Sequence, residues 1–375
     1  MKVLYFTRDY SPHDERFLTA LGQTGHEVYF LRLAPGKAVV PPPGTKEVRF
    51  SAEESDITLT STGHAAAFSR LLNTLAPDIL HAGPLHGPAY IAAQAGFPRL
   101  VSMSWGADIL HDGEVSADAR GKIKFSFDHS AVLACDCLAV SDKAVREYNF
   151  PSERIFRFPW GVDLDHFTPR GSAVLRERLG WQHKFVYLSN RSFEPIYGVD
   201  VTLQAFIAAA QVEPHIRLLL FGKGSQEQQF REMVDAASVA DRVHFGGYVN
   251  RDGLPDTYRS ADVFLSASHC DGSSVSLMEA LACGVPAIVS DIPGNLEWVR
   301  EGEHGWIFRD GDVEQMAVLM VAACRDTALD AYGARARELA EQKADWQRNF
   351  TVLLDAYEKA LRTEPEKPSS LAGER

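Results

Sequence analysis

The chain has 375 residues, of which 45% are hydrophobic, and its formal net charge is -12. This length exceeds what one hydrophobic core ordinarily serves, so we predict two domains. The acidic balance argues against a nucleic-acid-binding protein, because such proteins need basic surface to displace counterions. The cysteines are odd in number and lie in apolar surroundings, which indicates reduced thiols rather than a disulfide framework.

The first half of the chain alternates short apolar runs with segments of helical spacing. We predict strands at Val3–Phe6, Glu27–Leu33, Asp78–His81, Leu100–Ser104, Cys137–Val140 and Ile155–Phe158. We predict helices at Phe17–Leu21, Ala65–Leu75, Ala89–Ala95, Ala119–Leu133 and Asp142–Tyr148. Several strands are apolar enough to be buried on both faces, as in parallel sheets covered by helices. A doubly wound α/β domain is therefore expected.

The second half repeats this alternation after a turn-rich break at Trp160–Gly180. We predict strands at Phe185–Leu188, Ile216–Phe221, Val243–Phe245, Val263–Ala267, Ala287–Ser290 and Gly305–Phe308. Helices are predicted at Gln226–Ala237, Pro255–Ser260 and Ser274–Cys283 and from Val313 and Ala331. The domain boundary is placed near Pro169, which gives domains at 1–169 and 170–344. A last amphipathic helix is expected at about 345–361, and the polar tail at 363–375 is expected to be disordered.

The segment CDGSSVSLMEALACGVPAIVSDIPG at 270–294 sets two acids around the start of a helix. Asp271 lies in the preceding loop, and Glu279 lies about two turns into the helix. Backbone amides at a helix N-terminus attract anions, and carboxylates accept from sugar hydroxyls, so the pattern suits a nucleotide sugar. The alternative is an ordinary loop–helix–strand unit with a solvated Glu279. The positions between the acids that we assign to donor binding are Gly272, Ser273, Ser274, Val275 and Ser276.

This segment resembles the signature of glycosyltransferase family 4, although the first acid of that family is usually glutamate. WGVDLDHFTP at 160–169 and SNRSFEPIYGVDVTLQAF at 189–206 are similar to two other segments of the family, so the resemblance covers nearly the whole chain. It implies the GT-B fold, in which two Rossmann-like domains face each other across a cleft. It also implies that the last helix crosses back to the N-terminal domain.

The resemblance assigns Arg191 to the diphosphate of the donor. A guanidinium can hold a departing diphosphate bidentately without a metal. The lysine that the family usually has in this segment is absent, and Tyr197 takes its place. Lys223 is the nearest candidate for the second cation, and an exposed loop lysine is the alternative. Tyr248 is assigned to the donor side as well.

The N-terminal domain departs from the family at Ser104–Asp108. Relatives commonly have His-Gly-x-Asp there, whereas this chain has Trp105 in place of the histidine. Trp105 is expected to stack on the face of a sugar, and Asp108 is assigned a catalytic role in which it hydrogen-bonds a hydroxyl. The alternative is that Trp105 caps the strand end and Asp108 caps the next turn. The first β–α loop lacks the usual glycine pair, so we expect phosphate approach there to rely on the side chains of His13 and Arg16, which we assign to the acceptor side. Solvated side chains at both positions are the alternative.

Other patterns carry weaker signals. Asp163-Leu164-Asp165 and Asp310-Gly311-Asp312 match the D-x-D pattern of metal-dependent transferases, but such patterns are common by chance. Cys135-Asp136-Cys137 has poor spacing for zinc, and we predict no metal site. The basic and aromatic segment 120–127 leaves a lipid contact open, against a core-facing helix with a solvated edge.

Together these features predict a retaining, metal-independent glycosyltransferase that takes a nucleoside-diphosphate sugar as substrate and uses no cofactor. The acceptor, a glycan, a lipid-linked sugar or a small molecule, is not specified, nor are the donor base and the oligomeric state. The alternatives are a nucleotide-sugar 2-epimerase of the same fold and a non-catalytic nucleotide-sugar-binding protein. The chain shows neither a signal peptide nor a membrane-spanning run, so we expect a cytoplasmic protein, with contact at the inner face of the membrane left open.

Overall fold

The structure is a computed structural model that describes residues 1–34, 36, 38–50 and 61–363, without the side chains of residues 61–65. The chain divides into two compact units, Met1–Phe158 with Phe350–Arg375 and Pro159–Asn349. The chain leaves the first unit ahead of the boundary predicted at residue 169, because Val162 and Phe167 are buried in a core of the second unit. The tail predicted at 363–375 lies outside the described residues beyond Thr363.

The first unit is built on a parallel sheet with the strand order β3-β2-β1-β4-β5-β6-β7. Side chains alternate between the two faces of each strand. Leu4 and Phe6 of β1 pack with Phe68 on one face, whereas Tyr5 contacts His81 on the other. The strands are β1 Lys2–Thr7, β2 Glu27–Arg32, β3 Thr45–Val48, β4 Ile79–Ala82, β5 Leu100–Met103, β6 Val132–Cys135 and β7 Ile155–Arg157.

Helices follow most of these strands, as the α/β pattern predicts. The first of them begins with a capping box, in which the Ser11 side chain accepts from the Asp14 amide and the Asp14 carboxylate accepts from the Ser11 amide. The helices of the first unit that precede the last helix are Pro12–Gly22, Ser61–Leu75, Pro88–Gln94, Gly113–Val115, Ala117–Asp128 and Leu138–Tyr148, and a π-helical turn spans Asp108–Asp112.

Two predictions for the first unit differ from the structure, one in the type of element and one in where the helix ends. The strand predicted at Cys137–Val140 is the start of the helix Leu138–Tyr148, and the helix predicted at Ala119–Leu133 ends at Asp128. The strand at this place is β6, which is fully buried between β5 and β7. Both VLAC and CLAV are short apolar runs, and periodicity alone does not separate a buried strand from a buried helical turn.

The second unit has a parallel sheet with the strand order β10-β9-β8-β11-β12-β13. Tyr187 of β8 lies in one apolar core with Phe206, whereas Leu188 lies in another with Leu277, so both faces of the sheet are covered. The strands are β8 Phe185–Asn190, β9 Ile216–Phe221, β10 Val243–Gly247, β11 Val263–Ser266, β12 Ala287–Ser290 and β13 Gly305–Phe308. The helices are Val174–Arg178, Val199–Val212, Glu227–Ala236, Leu254–Arg259, Val275–Ala282, Pro293–Leu296, Val313–Ala323 and Leu329–Lys343.

The last helix, Trp346–Arg362, returns the chain to the first unit, as the resemblance implied. Its Tyr357 is fully buried and lies with its hydroxyl 2.7 Å from Nδ1 of His81 on β4. Burial lowers the pKa of His81 to about 3, so this imidazole is neutral. Within the described residues, none of the helices combines the length and the apolar character that a membrane span requires.

Candidate active site

The 270–294 segment forms the predicted helix N-terminus beyond the end of β11. Ser274 is the N-cap of the helix Val275–Ala282, and its hydroxyl accepts from the amide of Leu277 at 3.4 Å. The loop before it is held tightly, because a Cβ on Gly294 would lie 2.2 Å from the carbonyl oxygen of Gly272. Buried positions in this loop and first turn are Gly272, Ser273, Ser274 and Ser276.

Arg191 reaches this helix N-terminus from the end of β8. Its Nη1 donates to the hydroxyls of Ser274 at 2.8 Å and Ser276 at 2.9 Å, and its Nη2 lies 2.5 Å from Oδ2 of Asp271. The Arg191 side chain is only 9% exposed. The structure therefore brings Arg191 together with three residues that lie 80 to 85 positions later in the sequence and that we assigned to the same site.

The Arg191 guanidinium also lies over the ring of Tyr197. The ring centroid of Tyr197 lies 4.4 Å from Cζ of Arg191, within the range of a cation–π contact. Burial raises the pKa of Tyr197, so the residue at the position of the missing family lysine is uncharged. The orientation of Arg191 is thus set by hydroxyls, a carboxylate and an aromatic face.

Lys223 lies in the loop after β9, directly beside the Arg191 loop. Its carbonyl oxygen accepts from the hydroxyl of Ser192 and from the amide of Phe193, each at 3.0 Å. The two loops touch backbone to backbone, because a Cβ on Gly222 would lie 2.2 Å from the carbonyl oxygen of Arg191. The Lys223 side chain is exposed, so this cation can move toward a ligand at the Arg191 loop.

Glu279 is held by residues that sequence analysis missed. Oε2 of Glu279 accepts from the hydroxyl of Tyr258 at 2.7 Å, and the same hydroxyl oxygen accepts from Nδ2 of Asn190 at 3.1 Å. Tyr258 is fully buried, and burial raises its pKa well above the ordinary value. In the sequence Tyr258 looks like any core aromatic of a short helix, and no local signal reveals a partner for its hydroxyl.

Tyr248 directly follows β10, at the same edge of the sheet as Lys223. The carbonyl oxygen of Gly247 accepts from the amide of Gly222 at 2.9 Å, which ties the two strand ends together. Tyr248 is 73% exposed. An exposed aromatic ring at this edge can pack against a planar ligand group.

Asp108 is buried in the first unit, and its carboxylate serves the protein itself. Oδ1 accepts from the hydroxyl of Ser104 at 2.6 Å and from the amide of Ile109 at 3.0 Å, and Oδ2 accepts from the amide of Leu85 at 2.9 Å. Burial raises the pKa of Asp108. These contacts favour the capping alternative over the catalytic role predicted for Asp108, because the carboxylate orders two adjacent loops.

Trp105 is half-buried, and its ring lies against the first helix. Its ring centroid is 5.6 Å from that of His13 and 6.2 Å from that of Phe17. The structure thus brings Trp105 and His13 together, as two residues assigned to the acceptor side. Arg16 is half-buried on the same helix.

The patterns that could have indicated a metal have structural explanations. Oδ1 of Asp163 accepts from the amide of Asp165, and Oδ2 of Asp163 pairs with Arg251 at 2.8 Å. Cys135 and Cys137 are buried in the apolar core of the first unit. Among the described residues, no group of three His, Cys, Asp or Glu side chains has the arrangement of a metal site.

The second D-x-D pattern also has local partners. Asp312 is the N-cap of the helix Val313–Ala323 and accepts from the amide of Gln315. Oδ1 of Asp310 lies 2.6 Å from Nδ1 of His269, a residue of the loop after β11 that sequence analysis did not single out. This pair joins the loops after β11 and β13.

The basic segment 120–127 belongs to the helix Ala117–Asp128, and its cations are paired. Arg120 lies 3.1 Å from Glu114, and Lys122 and Lys124 each pair with an acid four residues away. Ile123 and Phe127 of the same helix are buried. This arrangement favours a core-facing helix with a solvated edge over a lipid contact.

Two families match the chain. The family described as "Glycosyl transferases group 1" matches residues 173–339, and "Glycosyl transferase 4-like" matches residues 2–136. The described site of the second unit lies within the first match.

The chain is similar to two proteins named as glycosyltransferases and to one named as a synthase. The mannosylfructose-phosphate synthase of Agrobacterium fabrum is 28% identical over 58% of this chain and 52% of its own length, so the chain spans about half of that relative. The D-inositol 3-phosphate glycosyltransferase of Saccharomonospora viridis is 27% identical over 74% of this chain and 70% of its own length. The phosphatidyl-myo-inositol mannosyltransferase of Mycobacterium leprae is 30% identical over 59% and 58%.

Solved structures show the same fold. Anabaena HepE in complex with UDP and glucose superposes with a TM-score of 0.80 at 17% identity and covers 96% of this chain and 99% of its own. WaaG, a glycosyltransferase involved in lipopolysaccharide biosynthesis, superposes with a TM-score of 0.75 at 16% identity and covers 96% and 98%. These likenesses confirm the predicted α/β architecture of GT-B type. The two family matches, which together run over most of both units, support a group 1 glycosyltransferase of the 4-like type.

Proposed function

We propose that this chain is a retaining, metal-independent glycosyltransferase that moves a sugar from a nucleoside diphosphate to a hydroxyl of a glycan, lipid-linked or small-molecule acceptor. The observation that carries the proposal is the placement of the Arg191 guanidinium. It is bonded to Ser274 and Ser276 at a helix N-terminus and to Asp271 beside it. A guanidinium and the amides of a helix N-terminus favour the same ligand, a phosphate group.

The donor is proposed to bind across the carboxyl edge of the second sheet. Arg191, the amides of the first helical turn and the ammonium of the exposed Lys223 would meet the diphosphate. Glu279 would accept from the ribose hydroxyls, and Asp271 from hydroxyls of the sugar. Tyr248 would pack against the base at the exposed end of this edge.

In the proposed reaction the acceptor oxygen bonds to the anomeric carbon on the face from which the diphosphate leaves, so the configuration is retained. The bond between the anomeric carbon and the diphosphate oxygen breaks, and its electron pair stays on that oxygen. The same oxygen takes the proton of the acceptor hydroxyl, so no side-chain base is required. Arg191 and Lys223 would stabilise the charge that grows on the leaving group, which is the largest electrostatic demand of the step.

The acceptor is proposed to be polyhydroxylated, with phosphorylated polyols and sugars as the first class to test. The names of the relatives refer to D-inositol 3-phosphate, phosphatidyl-myo-inositol and mannosylfructose phosphate. In the first unit, Trp105 beside His13 is the candidate contact, because an aromatic face suits the apolar face of a sugar ring.

The test combines a donor screen with a transfer assay. UDP, GDP and ADP and their glucose and mannose conjugates are screened by thermal shift. The conjugate that binds most tightly is then incubated with inositol 3-phosphate, phosphatidylinositol and simple sugars. NMR of the product should show a new glycosidic bond with the anomeric configuration of the donor. An inverted product, or an epimerised donor in the absence of acceptor, would contradict the proposal.

A further inference from the structure

The donor-side carboxylate of Glu279 accepts from the hydroxyl of the buried Tyr258, which in turn accepts from the half-buried Asn190. We propose that Tyr258 is a positioning residue for Glu279 and that Asn190 fixes the direction of its hydroxyl. The inference rests on the proposed function, in which Glu279 accepts from the ribose hydroxyls. The distances are 2.7 Å from Tyr258 Oη to Glu279 Oε2 and 3.1 Å from Asn190 Nδ2 to Tyr258 Oη.

The polarity of this chain of hydrogen bonds is determined by its ends. A carboxylate only accepts, so the single proton of the Tyr258 hydroxyl points to Glu279. The lone pair of the hydroxyl then faces Asn190, whose amide nitrogen only donates. Each group therefore has one orientation, and the network holds the Glu279 carboxylate as an acceptor.

Burial makes the contact specific to Tyr258. The side chain of Tyr258 is fully buried, whereas Glu279 is half-buried on the first turns of its helix. A hydroxyl held in the core cannot follow Glu279 to another rotamer, so the hydrogen bond keeps the carboxylate in one place. Removal of the hydroxyl leaves the ring and its packing, but it removes the contact that selects this rotamer.

Asn190 also links this network to the phosphate-binding arginine. Asn190 is the last residue of β8, and Arg191 follows it directly. The same strand end therefore positions the group proposed for the ribose and the group proposed for the diphosphate. The sheet thus fixes the distance between the ribose-binding and the diphosphate-binding side chains before the donor binds. Such preorganisation lowers the cost of ordering these side chains on binding.

The test is the substitution Tyr258→Phe, with Tyr187→Phe as the matched control. Tyr187 is also fully buried in the second unit, but it lies in a different core from the helix that carries Glu279. Its hydroxyl donates to the carbonyl oxygen of Met320 on the helix Val313–Ala323. Both variants lose one buried tyrosine hydroxyl, but only one of the two hydroxyls contacts Glu279. Binding is measured by calorimetry with UDP, GDP or ADP, whichever binds most tightly, and with its 2′,3′-dideoxy form.

We expect Tyr258→Phe to weaken binding of the ribose form about tenfold and to leave binding of the dideoxy form unchanged. Tyr187→Phe should leave both unchanged. When Glu279→Gln is already present, Tyr258→Phe should cause little further loss of affinity, because the effects of two substitutions that act through one contact are not additive. Asn190→Ala, which leaves the tyrosine in place, should give a smaller loss of about threefold, again limited to the ribose form.

Wild-type affinity of Tyr258→Phe for the ribose form would overturn the inference. So would an equal loss for both ligand forms, which would indicate a general structural effect. If the unaltered protein binds the ribose and dideoxy forms equally, the ribose contact of Glu279 itself is refuted and the inference falls with it. If no nucleoside diphosphate binds at all, the proposed function fails, so the two failures are distinguishable.

Discussion

The substitution Tyr197→Lys restores the lysine that the family usually has and tests how this chain manages without it. In the ligand-free protein it removes a cation–π contact with Arg191, worth about 1 kcal/mol. It also places an ammonium near the guanidinium, and two like charges about 5 Å apart repel by roughly 3 kcal/mol at an effective dielectric constant of about 20. We therefore expect the free variant to be less stable by about 2–4 kcal/mol, with a Tm lower by several degrees.

A bound diphosphate reverses this effect, because its charge lies between the two cations. Affinity for the nucleoside diphosphate should rise by about tenfold in Tyr197→Lys, and the increase in Tm on ligand binding should be larger than in the unaltered protein. Lys223→Ala should lower turnover by a factor on the order of 100 with a smaller change in KM. The double variant should recover most of that turnover, because both positions would serve the same phosphate.

Thermal unfolding with and without ligand and steady-state kinetics measure these effects. Tyr197→Phe is the matched control, since it keeps the ring over Arg191 and should leave affinity within about twofold. Unchanged stability and unchanged diphosphate affinity in Tyr197→Lys would refute the reasoning about position 197. Full turnover in Lys223→Ala would identify Lys223 as an exposed loop residue without a role in the reaction.

Three further outcomes are expected. Glu279→Gln should weaken donor binding roughly tenfold or more and leave acceptor binding unchanged, as measured by calorimetry, because charged hydrogen bonds are worth about 1.5–3 kcal/mol. Transfer should continue in excess EDTA; a fall to background that magnesium or manganese restores would contradict the metal-independent reaction. Stability should fall as the pH drops from about 6.5 toward 3, because His81 is neutral in the folded state, with its pKa lowered to about 3, and binds its proton more readily when unfolded. Between pH 7.5 and pH 5.5 this group alone should lower the free energy of unfolding by roughly 1 kcal/mol, and denaturant unfolding of His81→Gln should not show that loss.

Much of the fold could be predicted because apolar runs and helical spacing alternate so regularly. The strands β8, β9 and β13 lie within a few residues of their predicted positions. The grouping of Arg191 with Asp271 followed from the resemblance to the family. The sheet explains it physically, because loops at the carboxyl ends of neighbouring parallel strands meet at one edge. β8 and β11 are neighbours in the observed sheet, which places these two residues together.

The remaining features depend on contacts that a single sequence does not reveal. An aspartate such as Asp108 can hydrogen-bond a substrate hydroxyl. In the folded protein, however, its buried carboxylate accepts from three protein groups, and these contacts cannot be read from the sequence. The contact of Tyr258 with Asn190 joins residues 68 positions apart, and neither residue type has a pattern that reports it. The helix Val199–Val212, which we did not predict, has eight buried residues among its 14, and Ala208 and Val212 are exposed although they are apolar. The helix therefore lacks a clear amphipathic period.

The central claim is that Arg191 stabilises the leaving diphosphate, and the rate at which Arg191→Ala consumes the donor tests it most directly. The rate of release of the nucleoside diphosphate is measured with the sugar conjugate that binds most tightly, beside Arg176→Ala, which breaks another arginine–aspartate pair of the same unit at 2.9 Å. We predict that Arg191→Ala lowers the rate at saturating donor by about 100- to 1000-fold, as expected for loss of a charge stabiliser in the transition state, whereas Arg176→Ala, compared at equal folded fraction, retains it. An unchanged rate in Arg191→Ala would contradict the assignment of Arg191 to the leaving diphosphate.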